Sequence, residues 1–587
     1  MSFSELAEYL QKLESTSSRN SITEILAEVF SKATPSEIDK ICYLFVGRIE
    51  PQYTGVEFNF AERMMIRAMA VSYTTDSVQI LKDYKEKGDL GDVALVLAQK
   101  RGKYKDGSFG VLEVYRRLHA VAAAGGEGSQ EKKLSLMADL LGELDPLSAK
   151  YVVRIPLGKL RLGFSDATML DGLSLMTVGD KSARKTIEAA YNVLSDIGQI
   201  ALRVKRKGLR ELEKVEATPG VPVRTSLAER LPTAVKIIEK VGPAVAIEPK
   251  MDGLRTQLHV VKKGGHKEVS IFSRNHENIT NMFPEIVEAS LKLKLKDAIF
   301  DGEAIGFDPK TQKFALFQQT VQRKRKYEVE AKALEIPLKV FVFDILYLNG
   351  KDMIGMPFRE RRKVLEELIG NRADTIMLTR QIVVSEPEQI RAAFEEYAGE
   401  GLEGVMAKKL DAPYHAGGRG YHWVKYKKHT EGELSDTIDC VLMGAYRGRG
   451  KRASFGVGGF LLGVPGKDNR ESSQLKFYSL SNLGTGLSDK QFKSMYKRVV
   501  DLKVDVQPEN YIVDRMVAPD IWVKPKVVLE ILADEITLSP RHTAGRNHEG
   551  RGYSLRFPRL IRVREDKDPE QGTTVTEIET LYKMQGK

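Results

Sequence analysis

Apolar residues recur at helical spacing through the first part of the chain. After the segment Thr34-Pro35-Ser36-Glu37, apolar residues at positions 38, 41, 42 and 45 fall on one face of a helix. A threonine N-cap, a proline at the first helical position and a glutamate able to close a capping box predict that this helix starts at Pro35. Ser21-Ile22-Thr23-Glu24 repeats the same arrangement. These patterns predict a helical bundle up to about residue 215, with an alanine- and glycine-rich loop at Val121–Gln130.

The pattern changes at Glu216–Arg224, where two prolines and a glycine disfavour a helix. From about residue 220 to 430, strand patterns alternate with helical segments such as Glu360–Leu368, which is typical of an α+β domain. Short β-rich runs follow at Asp439–Tyr446, Phe460–Val464, Leu475–Leu480 and Val527–Leu532. The sequence therefore predicts three domains: all-α at 1–215, α+β at 220–430 and all-β at 431–587.

Length and composition indicate a multidomain globular protein. The chain has 587 residues, of which 42% are hydrophobic, and a formal net charge of +11. A basic balance favours a polyanionic partner, although many basic proteins bind no nucleic acid. We expect a cytoplasmic monomer without membrane contact, because no apolar run could span a bilayer and residues 1–5 do not resemble a signal peptide. Cys42 and Cys440 are expected to be core residues.

The segment Glu248–Arg255 carries the most chemical information. It follows the apolar, strand-like residues 244–247 and places Lys250 between acidic and basic side chains. A lysine amine has an ordinary pKa of about 10.4, so only roughly one in 2,500 is neutral at pH 7, and a nucleophilic lysine needs nearby cations or desolvation. Taken alone, Lys-x-Asp-Gly is a weak pattern that more often marks an ordinary turn with solvated charges.

Six further segments follow in a fixed order: Ser273-Arg274-Asn275, Phe300–Glu303, Val340–Asp344, Glu403–Met406, Trp423–Lys427 and Arg556–Arg559. With the lysine segment they resemble the collinear motifs of the covalent nucleotidyltransferases, and most closely the ATP-dependent DNA ligases of archaea and related bacterial lineages. The resemblance implies nick sealing in three displacements. Lys250 attacks the α-phosphate of ATP, AMP passes to a DNA 5′-phosphate, and the adjacent 3′-hydroxyl displaces AMP.

The resemblance also implies which cations bind the phosphates. Lys425 and Lys427 alternate along a strand, so both would face the α-phosphate, whereas an isolated Lys-x-Lys would more often be a solvent face. Arg419 would contact the nucleotide, with flanking glycines leaving room for it. Arg556 and Arg559 would orient the leaving pyrophosphate, which implies that the last domain closes over ATP and then reopens.

A second group of residues is implied to bind the nucleoside. Phe343 would stack on adenine, although core packing is the usual role of such a residue. Glu248 would accept a hydrogen bond from the adenine amino group, through its backbone or its side chain. Arg255 and Arg274 would contact the ribose or the DNA 5′-phosphate.

Two glutamates match the family's acidic residues that face the ribose and a divalent metal. They are Glu303 and Glu403, each bordering an apolar run. Mg²⁺ prefers hard oxygen ligands and keeps several waters, so one or two carboxylates with substrate phosphates suffice. We therefore expect ATP and Mg²⁺ as cofactors, with Mn²⁺ as the alternative ion.

Contacts with nicked duplex DNA are expected from two basic segments. Arg154, Lys159 and Arg161 surround two glycines in a segment that resembles part of the helical DNA-binding domain of these ligases. Arg447 and Arg449 lie in a basic hairpin-like loop of the last domain, which by resemblance is an OB-fold barrel. For each segment the alternative is a solvated charged loop.

Three rival interpretations remain at this stage. An mRNA-capping guanylyltransferase or RNA ligase shares the nucleophile, but usually lacks a helical domain of this size. An NAD-dependent ligase would need a four-cysteine zinc module, and the chain has 2 cysteines. A non-enzymatic nucleic-acid binder on an old transferase scaffold should have lost charged motif residues, which are all present here. ATP, ADP and GTP are not distinguished by the sequence, and a sliding clamp is left open as a further partner.

Overall fold

The computed structural model describes residues 1–102, 109–308, 313–315, 317–325, 327–370, 374–427, 437–448, 456–467, 475–484 and 487–585. The chain divides into two compact units, residues 1–427 and 428–587. The first unit contains a helical region followed by a central α/β region, and the second unit is rich in β-strands. Among the described residues, no helix has the length and apolar character needed to cross a membrane.

The N-terminal region is a helical bundle, which confirms the prediction from apolar spacing. Its helices are α1 Phe3–Ser15, α2 Arg19–Lys32, α3 Ile38–Phe45, α4 Glu62–Tyr73, α5 Ser77–Lys87, α6 Leu90–Arg101, α7 Val111–Ala123, α8 Ser129–Glu143, α9 Pro146–Arg154, α10 Asp166–Val178, α11 Arg184–Val193 and α12 Ile197–Lys207. Their apolar faces enclose one continuous core, to which Leu6, Phe30 and Tyr151 belong.

Two predicted helix starts are wrong by about one turn. Helix α2 begins at Arg19 rather than near Ser21, because the Ser18 side chain caps it by accepting from the Ser21 N–H. The Glu37 carboxylate does accept from the backbone N–H of Thr34 at 2.9 Å, but it also binds the chain's terminal ammonium at 2.8 Å. Residues 35–37 form a turn, and helix α3 begins at Ile38.

The central region contains two sheets and short helices. Its elements are β1 Leu227–Arg230, α13 Ala234–Val241, β2 Val245–Pro249, β3 Leu254–Lys263, β4 His266–Ser273, α14 Pro284–Leu291, β5 Ala298–Asp308, β6 Lys313–Phe314, α15 Phe317–Thr320, α16 Val329–Glu335, β7 Leu338–Leu348, β8 Lys351–Asp352, α17 Phe358–Leu368, β9 Ile376–Leu378, β10 Ile382–Val384, α18 Pro387–Gly399, β11 Gly404–Lys409 and β12 Arg419–Lys427. One sheet has the order β1-β12-β11-β2-β10, and the other has the order β4-β3-β5-β7-β8, with β6 beside β5 and β9 beside β7.

The connection between the helical and central regions is fixed by two side chains of β3. Gln257 accepts from the Val223 N–H at 2.7 Å and donates to the Val223 carbonyl at 3.0 Å. The Nδ1 atom of His259 accepts from the Gly220 N–H at 2.9 Å. Burial lowers the pKa of His259 to about 3, so this imidazole stays neutral and can act as an acceptor.

The second unit is a β-rich domain with two helices among its described residues. Its elements are β13 Ile438–Arg447, β14 Val457–Lys467, β15 Leu475–Leu483, α19 Asp489–Leu502, β16 Lys503–Val504, β17 Tyr511–Ile512, β18 Ile521–Val523, β19 Val528–Leu532, β20 Glu535–Ser539, β21 Gly552–Arg556, β22 Arg559–Val563 and α20 Val575–Met584. The main sheet has the order β16-β18-β13-β14-β15-β17, with β19 between β13 and β22, and β20 pairs with β21. Cys440 is buried here as Cys42 is in the bundle, as expected.

Candidate active site

Lys250 directly follows β2 and is held by backbone bonds to β11. Its N–H donates to the Gly404 carbonyl at 2.9 Å, and its carbonyl accepts from the Glu403 N–H at 3.1 Å. The Lys250 ammonium forms an ion pair with the Glu403 carboxylate. The sheet register thus brings two sequence-predicted residues together although they lie far apart in the chain.

Lysines from β12 complete this end of the site. The Nζ of Lys427 donates to Oε1 of Glu403 at 2.8 Å. Burial raises the pKa of Glu403, but Lys250 and Lys427 outweigh burial and hold that pKa below its ordinary value. Burial lowers the pKa of Lys425, and the charges of Lys427, Lys250, Arg419 and Arg274 lower it further. Four sequence-predicted cations therefore lie within electrostatic range of Lys425.

The pairing register places these lysines on one face of the first sheet. Lys425 of β12 lies opposite Met406 of β11, which in turn lies opposite Glu248 of β2. Residues two apart along a strand share a face, so Lys427, Trp423 and Lys408 lie on this same face. Along the strands, Lys427 therefore comes first, Lys425 and Glu248 share the next row, and Trp423 and Lys408 share the row after that.

Glu303 of β5 lies across from Arg255 of β3. Burial raises the pKa of Glu303 to about 7, against the opposing charges of Arg255 and Lys250. Gly253 is required beside it, because a Cβ at that position would come within 2.4 Å of the Ala304 carbonyl oxygen. A partly buried carboxylate with an elevated pKa beside the candidate nucleophile is typical of a functional site.

Arg255 is fixed by a buried acid that the sequence analysis did not single out. Its Nε and Nη2 donate to the two oxygens of Asp301 at 2.7 and 2.6 Å. The Tyr414 hydroxyl also donates to Asp301, at 2.6 Å, and accepts from the Ser226 N–H at 2.9 Å. The Arg255 guanidinium lies 4.7 Å from the Phe343 ring centroid, so this network connects the cation to the candidate adenine platform.

Phe343 occupies a bulge in β7. Asp344 pairs with Asp301 and Val342 pairs with Gly302, which leaves Phe343 as the extra residue between them. Bulges of this kind redirect a side chain relative to its neighbours. The Phe343 ring contacts Trp423 edge-on at 5.7 Å and is partly buried. Alternation along a strand alone therefore does not account for the direction of Phe343.

Glu248 is almost completely buried, with 2% of its surface exposed. Its Oε2 forms an ion pair with Lys408 at 2.6 Å, and its Oε1 accepts from Gln381 at 2.9 Å. Sequence reasoning missed Lys408 and Gln381. A lysine directly after the apolar residues Val405–Ala407 was the available signal, because a charged residue in an apolar strand needs a buried partner.

Arg556 and Arg559 belong to the second unit and flank a turn between β21 and β22. Arg556 pairs with Glu535 at 2.5 Å, and Arg559 pairs with Asp534 at 2.8 Å. Between them, Phe557 is 58% exposed and has a φ of 51°, a strained conformation for an aromatic residue. The turn therefore presents an exposed ring between two arginines.

The expectation that Arg154 contacts DNA is wrong. Arg154 is the last residue of α9 and is 1% exposed. Its guanidinium pairs with Asp89 at 2.9 Å, Glu14 at 2.8 Å and Asp92 at 3.2 Å. A side chain committed to three carboxylates inside the bundle cannot reach a phosphate without breaking that network, so Arg154 stabilises the helical region instead.

The other basic residues expected to contact DNA lie nearer the surface. Lys159 is partly exposed and pairs with Glu62. Arg161 is partly exposed, has a φ of 59°, and pairs with Asp89 at 3.2 Å. Arg447 ends β13 and is exposed, whereas Arg449 lies outside the described residues.

Comparison with known proteins identifies the family of this chain. Family models match residues 2–174 as a DNA ligase N terminus, residues 225–427 as an ATP dependent DNA ligase domain and residues 453–567 as an ATP dependent DNA ligase C terminal region. A probable DNA ligase of Dictyoglomus turgidum is 44% identical over 100% of this chain and 98% of its own length. A DNA ligase of Acidianus ambivalens is 38% identical, also over 100% of this chain and 98% of its own length.

A solved structure, titled Pmar-Lig_PreS3, is similar in fold. It covers 95% of this chain and 99% of its own, with a TM-score of 0.54 and 17% sequence identity. The family models span all three regions, and both relatives align along the whole chain. The chain therefore belongs to the ATP-dependent DNA ligase family.

Proposed function

We propose that this chain seals nicks in duplex DNA through a lysyl-AMP intermediate formed at Lys250. The observation that carries the proposal is the cluster around Lys250, in which Glu403 pairs with the lysine and Lys427 pairs with Glu403. Lys425 in turn lies within electrostatic range of Arg419 and Arg274. Such a cluster suits transfer of a phosphoryl group, where negative charge must be stabilised and reactants positioned.

In the first step, the Lys250 Nζ lone pair forms a bond to the α-phosphorus of ATP, and the bond to the pyrophosphate oxygen breaks. The amine must lose its proton and separate from Glu403 before it can attack. Lys425 and Lys427 are proposed to hold the α-phosphate oxygens as the displaced pyrophosphate takes up charge. Arg556 and Arg559 are proposed to bind that pyrophosphate, and a triphosphate would have to compete with Asp534 and Glu535 for them.

The donor set fits a divalent cation. Among the described residues, no group of three or more His, Cys, Asp or Glu side chains gathers as a metal site. Glu303 and Glu403 are the proposed ligands, and substrate phosphates would complete the shell as Mg²⁺ prefers. The pKa of Glu303, raised to about 7, fits a carboxylate whose charge a cation would stabilise. When bound, the ion would neutralise phosphate charge.

DNA binding is assigned to the helical region and the last domain. We propose domains at 1–215, 220–430 and 431–587, with an OB-fold barrel as the last. The antiparallel strands β13, β14 and β15 support a barrel. Lys159, Arg161, Arg447 and Arg449 are the proposed phosphate contacts on nicked duplex. A monomeric state in the cytoplasm belongs to the same proposal, and a clamp partner is left open.

Labelled nucleotides test the nucleophile. Full-length protein incubated with ATP labelled at the α-phosphate and Mg²⁺ should gain a covalent AMP adduct that is stable in alkali and labile in acid, as a phosphoramidate is, and that peptide mass spectrometry maps to Lys250. Lys250→Ala should remove the adduct. Lys263→Ala is the matched control, because Lys263 is exposed and its side chain pairs with Glu268 of the neighbouring strand, so this variant should keep the adduct. Parallel incubations with ADP and GTP define the donor, and absence of any Lys250 adduct would refute the proposal.

A further inference from the structure

We call the part of the site around Glu248 and Phe343 the base end, and the part around Lys250, Lys425 and Lys427 the phosphate end. The base end contains a buried cation that the proposed chemistry does not use. Lys408 is 1% exposed, and its ammonium has a defined set of partners. It pairs with Oε2 of Glu248 at 2.6 Å and donates to the Phe343 carbonyl at 3.1 Å. Its Nζ also lies 4.6 Å from the Phe343 ring centroid and 4.5 Å from that of Trp423. The cation therefore contacts both residues implied in adenine binding.

This arrangement is costly for the fold. Removing an ammonium and a carboxylate from water carries a penalty that their mutual attraction only partly offsets, and apolar residues of similar volume often serve a core equally well. Burial accordingly lowers the pKa of Lys408, although the Glu248 charge opposes this. A methionine would fill most of the same space between the aromatic rings. Packing alone therefore does not explain a lysine at this position.

The sheet register explains why Lys408 reaches Glu248. Lys408 lies opposite Ala246, and Glu248 is the next residue along β2 on the same face. Diagonal neighbours of this kind are within reach of long side chains. The other carboxylate oxygen, Oε1, accepts from Gln381, with Arg362 at 3.9 Å. Both oxygens of Glu248 are thus held in place by neighbouring side chains.

We propose that Lys408 is a positioning residue for base selection: it joins the Glu248 carboxylate to the Phe343 strand, so that acceptor and ring keep one geometry around adenine. A fixed carboxylate accepts from the 6-amino group of adenine and repels the 6-oxo group of hypoxanthine or guanine. A site whose polar groups are fixed discriminates by leaving the wrong partner unpaired. The inference rests on the proposed function, because it assumes that Lys250 reacts with a purine nucleotide.

The first test measures adenylylation of the full-length Lys408→Met variant over a range of ATP and ITP concentrations. We expect the KM for ATP to rise by about tenfold, the effect of losing one charge-assisted hydrogen bond. The limiting rate should stay within about threefold of the wild type, because the phosphate end is unchanged. The preference for ATP over ITP should fall by a similar factor. Sealing of a nick that already carries the 5′-adenylate should change little.

Arg323→Met is the matched control for loss of a buried cation. Arg323 is fully buried in the same unit and pairs with Glu285 at 2.5 Å. Its replacement should lower stability without changing the ATP:ITP preference. The proposal is overturned if Lys408→Met lowers the ATP:ITP preference no more than Arg323→Met does. It is also overturned if Lys408→Met slows the sealing of a pre-adenylylated nick as much as it slows adenylylation of the protein.

Two further variants keep the test decisive if Lys408→Met does not fold. Gln381→Leu removes the hydrogen bond from Gln381 to Oε1 of Glu248. This variant should therefore lower the preference for ATP over ITP, as Lys408→Met does. Lys408→Met combined with Glu248→Gln removes both buried charges and adds an amide donor, so it should fold and accept ITP. An unchanged preference in both variants would overturn the proposal. Failure of the wild type to form an adduct with any nucleotide would instead refute the proposed function.

Discussion

Asp301→Asn should weaken both the central region and its nucleotide site. Asp301 is fully buried and accepts two bonds from Arg255 and one from Tyr414. Asparagine keeps the volume but removes the charge, which leaves the Arg255 cation without its partner. Breaking one side of a buried ion pair costs about 3–5 kcal/mol. At a slope of about 4 kcal/mol/M, the guanidinium midpoint of this region should fall by roughly 1 M.

The two tryptophans give a selective readout of this region. The chain has 2 tryptophans, one in each compact unit, at positions 423 and 522. In a Trp522→Phe background, fluorescence reports on Trp423, whose ring lies 5.3 Å from the Arg255 guanidinium. Unfolding in guanidinium chloride followed at this tryptophan therefore measures the loss. Adenylylation of the same variant should show a raised KM for ATP, because Arg255 would no longer be fixed beside Phe343.

Asp411→Asn is the matched control. Asp411 pairs with Arg359 in the same region, but both side chains are mostly exposed. Exposed pairs contribute between zero and about 1 kcal/mol, so this variant should change neither the midpoint nor the KM appreciably. If Asp301→Asn and Asp411→Asn behave alike, burial of the Arg255–Asp301 pair does not have the energetic weight argued here.

Three further outcomes can be checked. Between pH 7.5 and 5.5 the unfolded chain takes up a proton at the ordinary His pKa of 6.5 while folded His259, with its pKa near 3, does not. The contribution of neutral His259 to the free energy of unfolding is therefore fully present above pH 6.5 and is lost as the pH falls below it. His259→Gln should reduce this loss of unfolding free energy by about 1.4 kcal/mol, measured by unfolding at Trp423. Arg154→Met should lower the melting temperature of the helical region without changing how nick affinity depends on salt. Arg161→Ala should instead reduce, by about 1, the magnitude of the slope of the logarithm of the nick-binding constant against the logarithm of the salt concentration. Deleting residues 1–215 should spare self-adenylylation and abolish sealing, and equal sealing by the truncated chain would contradict DNA binding by the helical region.

The sequence predicted the residues of the site better than it predicted their partners. Lys250, Glu403, Lys425 and Lys427 could be found because each lies beside a short apolar strand pattern with a defined order along the chain. Arg154 shows where this reasoning fails. A cation near glycines is typical of a phosphate-binding loop, but the nearest acids in space, such as Asp89, lie some 65 residues away in the chain. The residue pattern around Arg154 contains no information about a partner that is so distant in the chain.

The Lys408 network depends on strand register in the same way. Lys408 lies on the same face as Glu248 only because β11 pairs with β2 with Met406 opposite Glu248. A slip of one residue would turn Lys408 to the other face, towards the buried side chains of Val405 and Ala407. The alternation of Lys425 and Lys427 survives any register, so it can be read from sequence. A partnership across strands requires the fold, and that is why Lys408 and Gln381 emerged only from the structure, whereas Glu248 and Phe343 were predicted from the sequence.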